Sequence, residues 1–214
     1  MLNFYMTPGS CTTGIHILLE ELELVFSANI VNLVKGDQHT PEFRAINPRG
    51  TIPVLVLNNG QPLTSFLEIA WWLGSAYPKK GLIPTDPVAQ ARMLDLLSYA
   101  VNHIHGQAFT RIFTPSNYFV GDAEPGVQEP LLYEQGKAMV ITAFEWVAGQ
   151  IQANIDAGLY ACGQFSLADA ALFYVEFWAV RSDIPLPEAC QQHYQAMLKR
   201  PLVRQVLMEE GYRV

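Results

Sequence analysis

The stretch Asn47-Pro48-Arg49-Gly50-Thr51-Ile52-Pro53-Val54-Leu55-Val56-Leu57 sets a turn-forming run against an apolar one, and the two meet at Pro53. Asn-Pro and Arg-Gly punctuate the backbone, while Val54, Leu55, Val56 and Leu57 have the length and β-prone character of a buried strand. Proline cannot donate to a strand ladder, so it belongs at the first residue of a strand or on an edge. An X-Pro bond adopts the cis form at a cost of only ~0.5–1 kcal/mol. A cis corner would turn the amide and carbonyl of Ile52 outward, where an extended peptide could pair with them as an added strand.

Outward from this corner the chain forms a small α/β unit. Residues 2–5 are a short apolar run suited to a central strand, and Thr7-Pro8-Gly9-Ser10-Cys11-Thr12-Thr13 is rich in turn and cap residues. Ile15, Leu18, Leu19 and Leu22 then recur at helical spacing, with Glu20, Glu21 and Glu23 on the other face. Residues 25–33 alternate loosely as a second strand, and Thr40-Pro41 puts proline in the first turn of a helix. Past Pro53, Asn58-Asn59-Gly60 signals a hairpin that returns through residues 61–63. Ser65 is set to cap a helix whose apolar stripe, Ile69, Trp72 and Leu73, ends near Tyr77.

Composition changes next. Pro78, Pro84 and Pro87 fall close together, and beyond them helical periodicities replace strand patterns, the longest over 88–109 and 131–155 with a breaker-rich stretch over 114–130. The expected organisation is an α/β domain over 1–77, a linker over 78–85 and an all-helical domain over 86–214. Ser166 and Asp169 stand three apart before an apolar run, the spacing of a capping box with Asp in place of Glu. Pro201 opens a last helix.

With 214 residues, half of them apolar, 15% charged and a net charge of −7, the chain has the composition of a soluble globular protein. An acidic surface disfavours nucleic acid and anionic membranes as main ligands. No apolar run approaches a bilayer span and no basic, apolar leader opens the chain, so a cytoplasmic location is expected. Cys11, Cys162 and Cys190 are odd in number and widely spaced, which suits neither a disulfide framework nor zinc, and the histidines form no metal motif. Cys11 has the one position with a reason to react, because a helix amino terminus stabilises a thiolate.

The Asn-Pro and Ile-Pro pair with its apolar strand, the loop from Pro8 to Thr12, the Ser166–Asp169 cap and the segment from Lys199 to Val203 together resemble the glutathione transferases, closest to the bacterial beta class. The resemblance implies a thioredoxin-like first domain followed by a helical bundle, a cis Pro53, and Ile52 gripping the cysteinyl backbone of glutathione. It implies a homodimer that uses glutathione as co-substrate, with no metal. It also implies that Cys11 faces the glutathione sulfur with His105 as hydrogen-bond partner, and that Lys35 lies near the glycyl end. Thr12 is the alternative hydroxyl donor and Ser10 a weaker one. Ser65 and Phe66 stand where the family carries an acid and a serine for the γ-glutamyl end, so Phe66 offers only its amide. Tyr5, at the end of the first strand, is read as core.

Thiolate transfer to a small hydrophobic electrophile, in detoxification, is the activity so implied. Cys11 leaves a glutathione-dependent thiol-disulfide reductase open, since a thiol can form a mixed disulfide where a hydroxyl can only donate. Phe66 leaves open a non-catalytic binding protein on the same fold. Trp71, Trp72, Tyr99, His103, Phe109, Phe113 and Tyr118 are the aromatic candidates for an electrophile pocket, of which one or two are expected there.

Overall fold

A computed structural model describes residues 1–121 and 124–213; positions 122 and 123, inside the breaker-rich stretch, and position 214 lie outside the described residues. The chain opens with strand β1 (Leu2–Met6), helix α1 (Thr12–Glu21) and strand β2 (Phe26–Ile30), followed by α2 (Pro41–Ile46), β3 (Val54–Val56), β4 (Pro62–Leu63) and α3 (Phe66–Ala76). The sheet order is β2-β1-β3-β4, with β1 and β2 parallel and the other pairs antiparallel. This is the thioredoxin-like arrangement.

Side chains alternate across a strand, and β1 uses both faces. Leu2, Phe4 and Met6 are buried against α1 and α3, whereas Tyr5 turns to the opposite face, where its ring meets Phe43 of α2 edge-on at 5.9 Å. Thr40 caps α2 by accepting the Phe43 N–H at 3.3 Å, with Pro41 at the first helical position. Ser65 caps α3 by accepting the Glu68 N–H at 3.2 Å.

The second half is helical: α4 (Pro87–Ser98), a π-wound continuation (Tyr99–Phe109), α5 (Thr110–Phe113), α6 (Pro125–Asp156), α7 (Leu167–Arg181), α8 (Glu188–Leu198) and α9 (Pro201–Glu209). The first long periodicity is thus not one α-helix, because from Tyr99 the ladder widens, as in the Thr110 N–H reaching the His105 carbonyl. Helix α6 begins earlier than the periodicity suggests and takes Pro130 inside it; the carbonyl four residues back belongs to exposed Gly126, which water can satisfy. None of the described helices is long and apolar enough to cross a membrane.

Helix α7 is the axis of the molecule, buried from Leu167 to Ala179. Its capping box closes, with Asp169 Oδ2 taking the Ser166 amide at 2.7 Å and the Ser166 hydroxyl at 2.8 Å. The proline-rich link also docks here. The Leu167 N–H donates to the Leu82 carbonyl at 3.1 Å, and Gly74 lacks the side chain that Ile83 would otherwise meet. One continuous apolar core therefore joins the sheet, α1 and α3 to α4, α6, α7, α8 and α9.

Candidate active site

The Pro53 corner is built by Asn47, which is fully buried. Its Nδ2 donates to the Thr51 carbonyl at 2.7 Å, its Oδ1 takes the Arg49 N–H at 3.1 Å, and Gly50, at φ 64, supplies the left-handed turn between them. The Ile52–Pro53 bond is cis. The Ile52 carbonyl meets the Cys11 thiol at 3.8 Å, and among the described residues no acceptor takes the Ile52 N–H. Pro53 itself is buried behind the corner.

The facing loop, residues 7–13, is held by residues from the far end of the chain. The Gly9 carbonyl accepts the Trp178 indole N–H at 2.8 Å, and the Gly9 N–H donates to Glu210 Oε2 at 2.8 Å. The same oxygen takes the Thr13 hydroxyl at 2.6 Å, while Oε1 stands 3.0 Å from His16 Nδ1. Gly9 has φ 72 and lies so close to the Tyr212 hydroxyl that no side chain fits. Within the loop, Thr12 Oγ1 accepts the Thr7 N–H at 3.2 Å and donates to the Thr7 carbonyl at 2.9 Å, and Ser10 Oγ lies 2.8 Å away. Because the Thr12 proton goes to Thr7, Ser10 is the donor in that pair.

Between corner and loop lies a cavity of about 650 Å³. Its floor and thiol side are Gly9, Ser10, Cys11, Leu33, Gln38 and Ile52; its helical wall is His105, Thr110, Phe113, Thr114, Trp178, Arg181 and Ser182. The wall is rigid because Trp178 packs edge-on against His105, Phe109 and Phe113 at 4.9, 5.3 and 5.3 Å. Gln38 Oε1 is buried without a partner among the described residues.

Two ionisable groups at the cavity are held neutral. Burial pushes the Cys11 thiol up to about 12, against the smaller opposing pull of its own and the Thr12 amides and of Ser10. Burial also lowers His105 to about 4. His105 Nδ1 stands 3.2 Å from the Tyr174 hydroxyl, which has no other partner among the described residues. Burial, with Cys11 nearby, keeps that phenol well above its ordinary range, so it stays protonated and donates to Nδ1. The His105 proton then sits on Nε2, free for the cavity.

The comparisons with known proteins converge on this frame. Residues 9–76 match the family model described as glutathione S-transferase, N-terminal domain. Glutathione S-transferase GstA of Escherichia coli O157:H7 is 27% identical over 98% of this chain and 99% of its own length. A glutathione transferase homolog from Sulfitobacter, solved with bound glutathione, superposes with a TM-score of 0.84 at 27% identity, covering 99% of both chains. The chain is similar to glutathione S-transferases along nearly its whole length, and its residues 9–76 match their N-terminal domain. A bacterial beta-class glutathione S-transferase from Sphingomonas chungbukensis, 25% identical over 98% of both chains, superposes at 0.74.

On this transferase fold Cys11, Ile52 and His105 come together at one cavity, with Ser10 beside them. The other expected residues lie elsewhere. Thr12 is fully buried, its hydroxyl engaged in closing the loop. Lys35 is exposed beyond a turn that Asn32 closes by accepting its N–H at 3.0 Å. Ser65 caps α3, and Glu68 Oε2 is drawn back to the Thr64 N–H at 2.7 Å. Phe66 turns inward against Gly14 and the Tyr174 ring, 5.2 Å away, which leaves the amides of Phe66 and Leu67 at the helix start without partners among the described residues. Of the aromatic candidates, Phe113 lines the cavity. Trp178, Arg181, Ser182, Gln38 and Glu210 were not singled out from the sequence.

Proposed function

We propose that this chain is a glutathione transferase that passes the glutathione thiolate to a small hydrophobic electrophile. The cysteinyl main chain pairs with Ile52 at the Pro53 corner, and the γ-glutamyl carboxylate rests on the free amides of Phe66 and Leu67 at the start of α3 beside Ser65. The sulfur then lies before Ser10, Cys11 and His105. One rotation of the Ser10 hydroxyl directs its proton at a thiolate, and His105 Nε2–H is a second donor. The glutathione proton leaves to solvent, the sulfur forms a bond to the electrophilic carbon, and the leaving group departs with its bonding electrons. A homodimer, a cytoplasmic location and a role in detoxification belong to the same reading.

The observation that carries it is a single cavity bounded by the unpaired Ile52 amide on one side and an aromatic wall on the other, with proton donors between them. The state of Cys11 favours conjugation over disulfide exchange. With a pKa pushed up to about 12, roughly one thiol in 10⁵ is ionised at neutral pH, so Cys11 acts as a neutral neighbour of the sulfur and not as an attacking thiolate. Turnover of 1-chloro-2,4-dinitrobenzene tests the assignment. Ser10→Ala and His105→Gln are each expected to lower kcat/KM by roughly 10²-fold, the scale of one lost donor to a developing or bound anion. Full activity in both, and in Cys11→Ala, would place the sulfur elsewhere.

A further inference from the structure

The donors at the far end of the cavity are distributed unevenly. On the helical wall the Thr110 hydroxyl is taken by Tyr118 at 2.5 Å and by the Gly106 carbonyl at 2.9 Å, and the Thr114 hydroxyl donates to the Thr110 carbonyl at 2.9 Å. Phe113 and Trp178 present rings. Arg181 and Ser182 differ. Arg181 makes no hydrogen bond or ion pair among the described residues, and its guanidinium is set by rings alone, 4.9 Å over Tyr212 and 5.5 Å over Phe177. The Ser182 N–H closes the helix on the Trp178 and Ala179 carbonyls, and its hydroxyl has no partner among the described residues. No carboxylate lines the cavity among the described residues, and His105 is neutral there, so Arg181 is its one formal charge.

A basic residue in the last turn of α7 offsets the helix dipole, which accounts for a cation at this position. It does not account for an exposed guanidinium seated over two rings at a cavity mouth, with no carboxylate partner among the described residues, in a protein of net charge −7. We propose that Arg181, with the Ser182 hydroxyl, selects electrophiles that carry a carboxylate: a flat apolar body lies against Phe113 and Trp178, and its acidic group is taken by the planar fork of Arg181. This rests on the transferase reading and names the substrate class for it.

The test uses two aryl chlorides that undergo the same substitution, neutral 1-chloro-2,4-dinitrobenzene and anionic 4-chloro-3,5-dinitrobenzoate. In both, a sulfur–carbon bond forms, chloride leaves with the bonding pair, and the glutathione proton goes to buffer. Relative to their uncatalysed rates, the parent protein is expected to favour the benzoate by about tenfold in kcat/KM, a preference that falls as salt rises. Arg181→Met is expected to raise KM for the benzoate by about tenfold, with KM for glutathione and turnover of the neutral chloride within about twofold of the parent. Arg181→Lys keeps part of the preference. Turnover of the neutral compound without any preference, or an Arg181→Met effect on KM for glutathione instead, overturns the acidic-substrate assignment and leaves the transferase reading intact. No turnover of either compound overturns both.

Discussion

Two sets of polar groups, one under α7 and one at the cavity beside its last turn, behave in opposite ways. Under α7, His193 lies between two carboxylates, with Nδ1 at 2.8 Å from Glu176 Oε2 and Nε2 at 3.0 Å from Asp169 Oδ1, all three residues fully buried. Asp169 Oδ1 also takes the Ala161 N–H at 2.8 Å. Every group there has a partner. At the other end of α7 the cavity keeps donors and acceptors in reserve: the Ile52 amide, Gln38 Oε1, His105 Nε2 and the Arg181 guanidinium. A satisfied buried cluster fixes architecture, whereas unsatisfied groups converging on one space mark where a ligand completes the pairing.

Breaking the satisfied set should be the most damaging. His193→Ala leaves two buried carboxylates facing each other and is expected to cost about 3–5 kcal/mol of stability in denaturant titration. The same cluster gives a pH signature. Burial alone would lower His193, but Glu176 and Asp169 outweigh it and raise the pKa to about 10, from 6.5. A raised folded-state value stabilises fully below 6.5 and is lost as pH climbs toward 10, so melts of the parent should weaken across that window. Glu210→Ala, which orphans the Gly9 amide and the Thr13 hydroxyl, should cost about 1–3 kcal/mol and lower conjugation with it. Ser65→Ala removes a helix cap, about 1 kcal/mol, and is expected to weaken glutathione binding in calorimetry. Lys35→Ala, exposed and outside the cavity lining, should change stability by less than about 0.5 kcal/mol and leave KM for glutathione unaltered. A large Lys35 effect would mean that the glycyl end reaches beyond the cavity as drawn.

What the sequence could show followed the range of each interaction. The Pro53 corner, the caps at Thr40 and Ser65, and the Ser166–Asp169 box are contacts within a few residues, and their spacing carries them. The clamp on the thiol loop joins Gly9 to Glu210 and Trp178, across most of the chain, and no local pattern encodes it. The π-wound turn was hidden because its apolar positions still approximate a helical period. Cys11 misled on charge: its helix-end position argued for a lowered pKa, yet a desolvation penalty that only the fold reveals exceeds the gain from nearby amides. Phe66, read as a gap in the γ-glutamyl site, proves to be a core residue wedged against Gly14.

The most direct test of the account is a crystal structure of the protein soaked in glutathione. The prediction is that the cysteinyl main chain pairs with the Ile52 amide and the sulfur lies within hydrogen-bonding distance of Ser10 Oγ or His105 Nε2. A tripeptide bound away from this corner, or none at millimolar concentration, would contradict it.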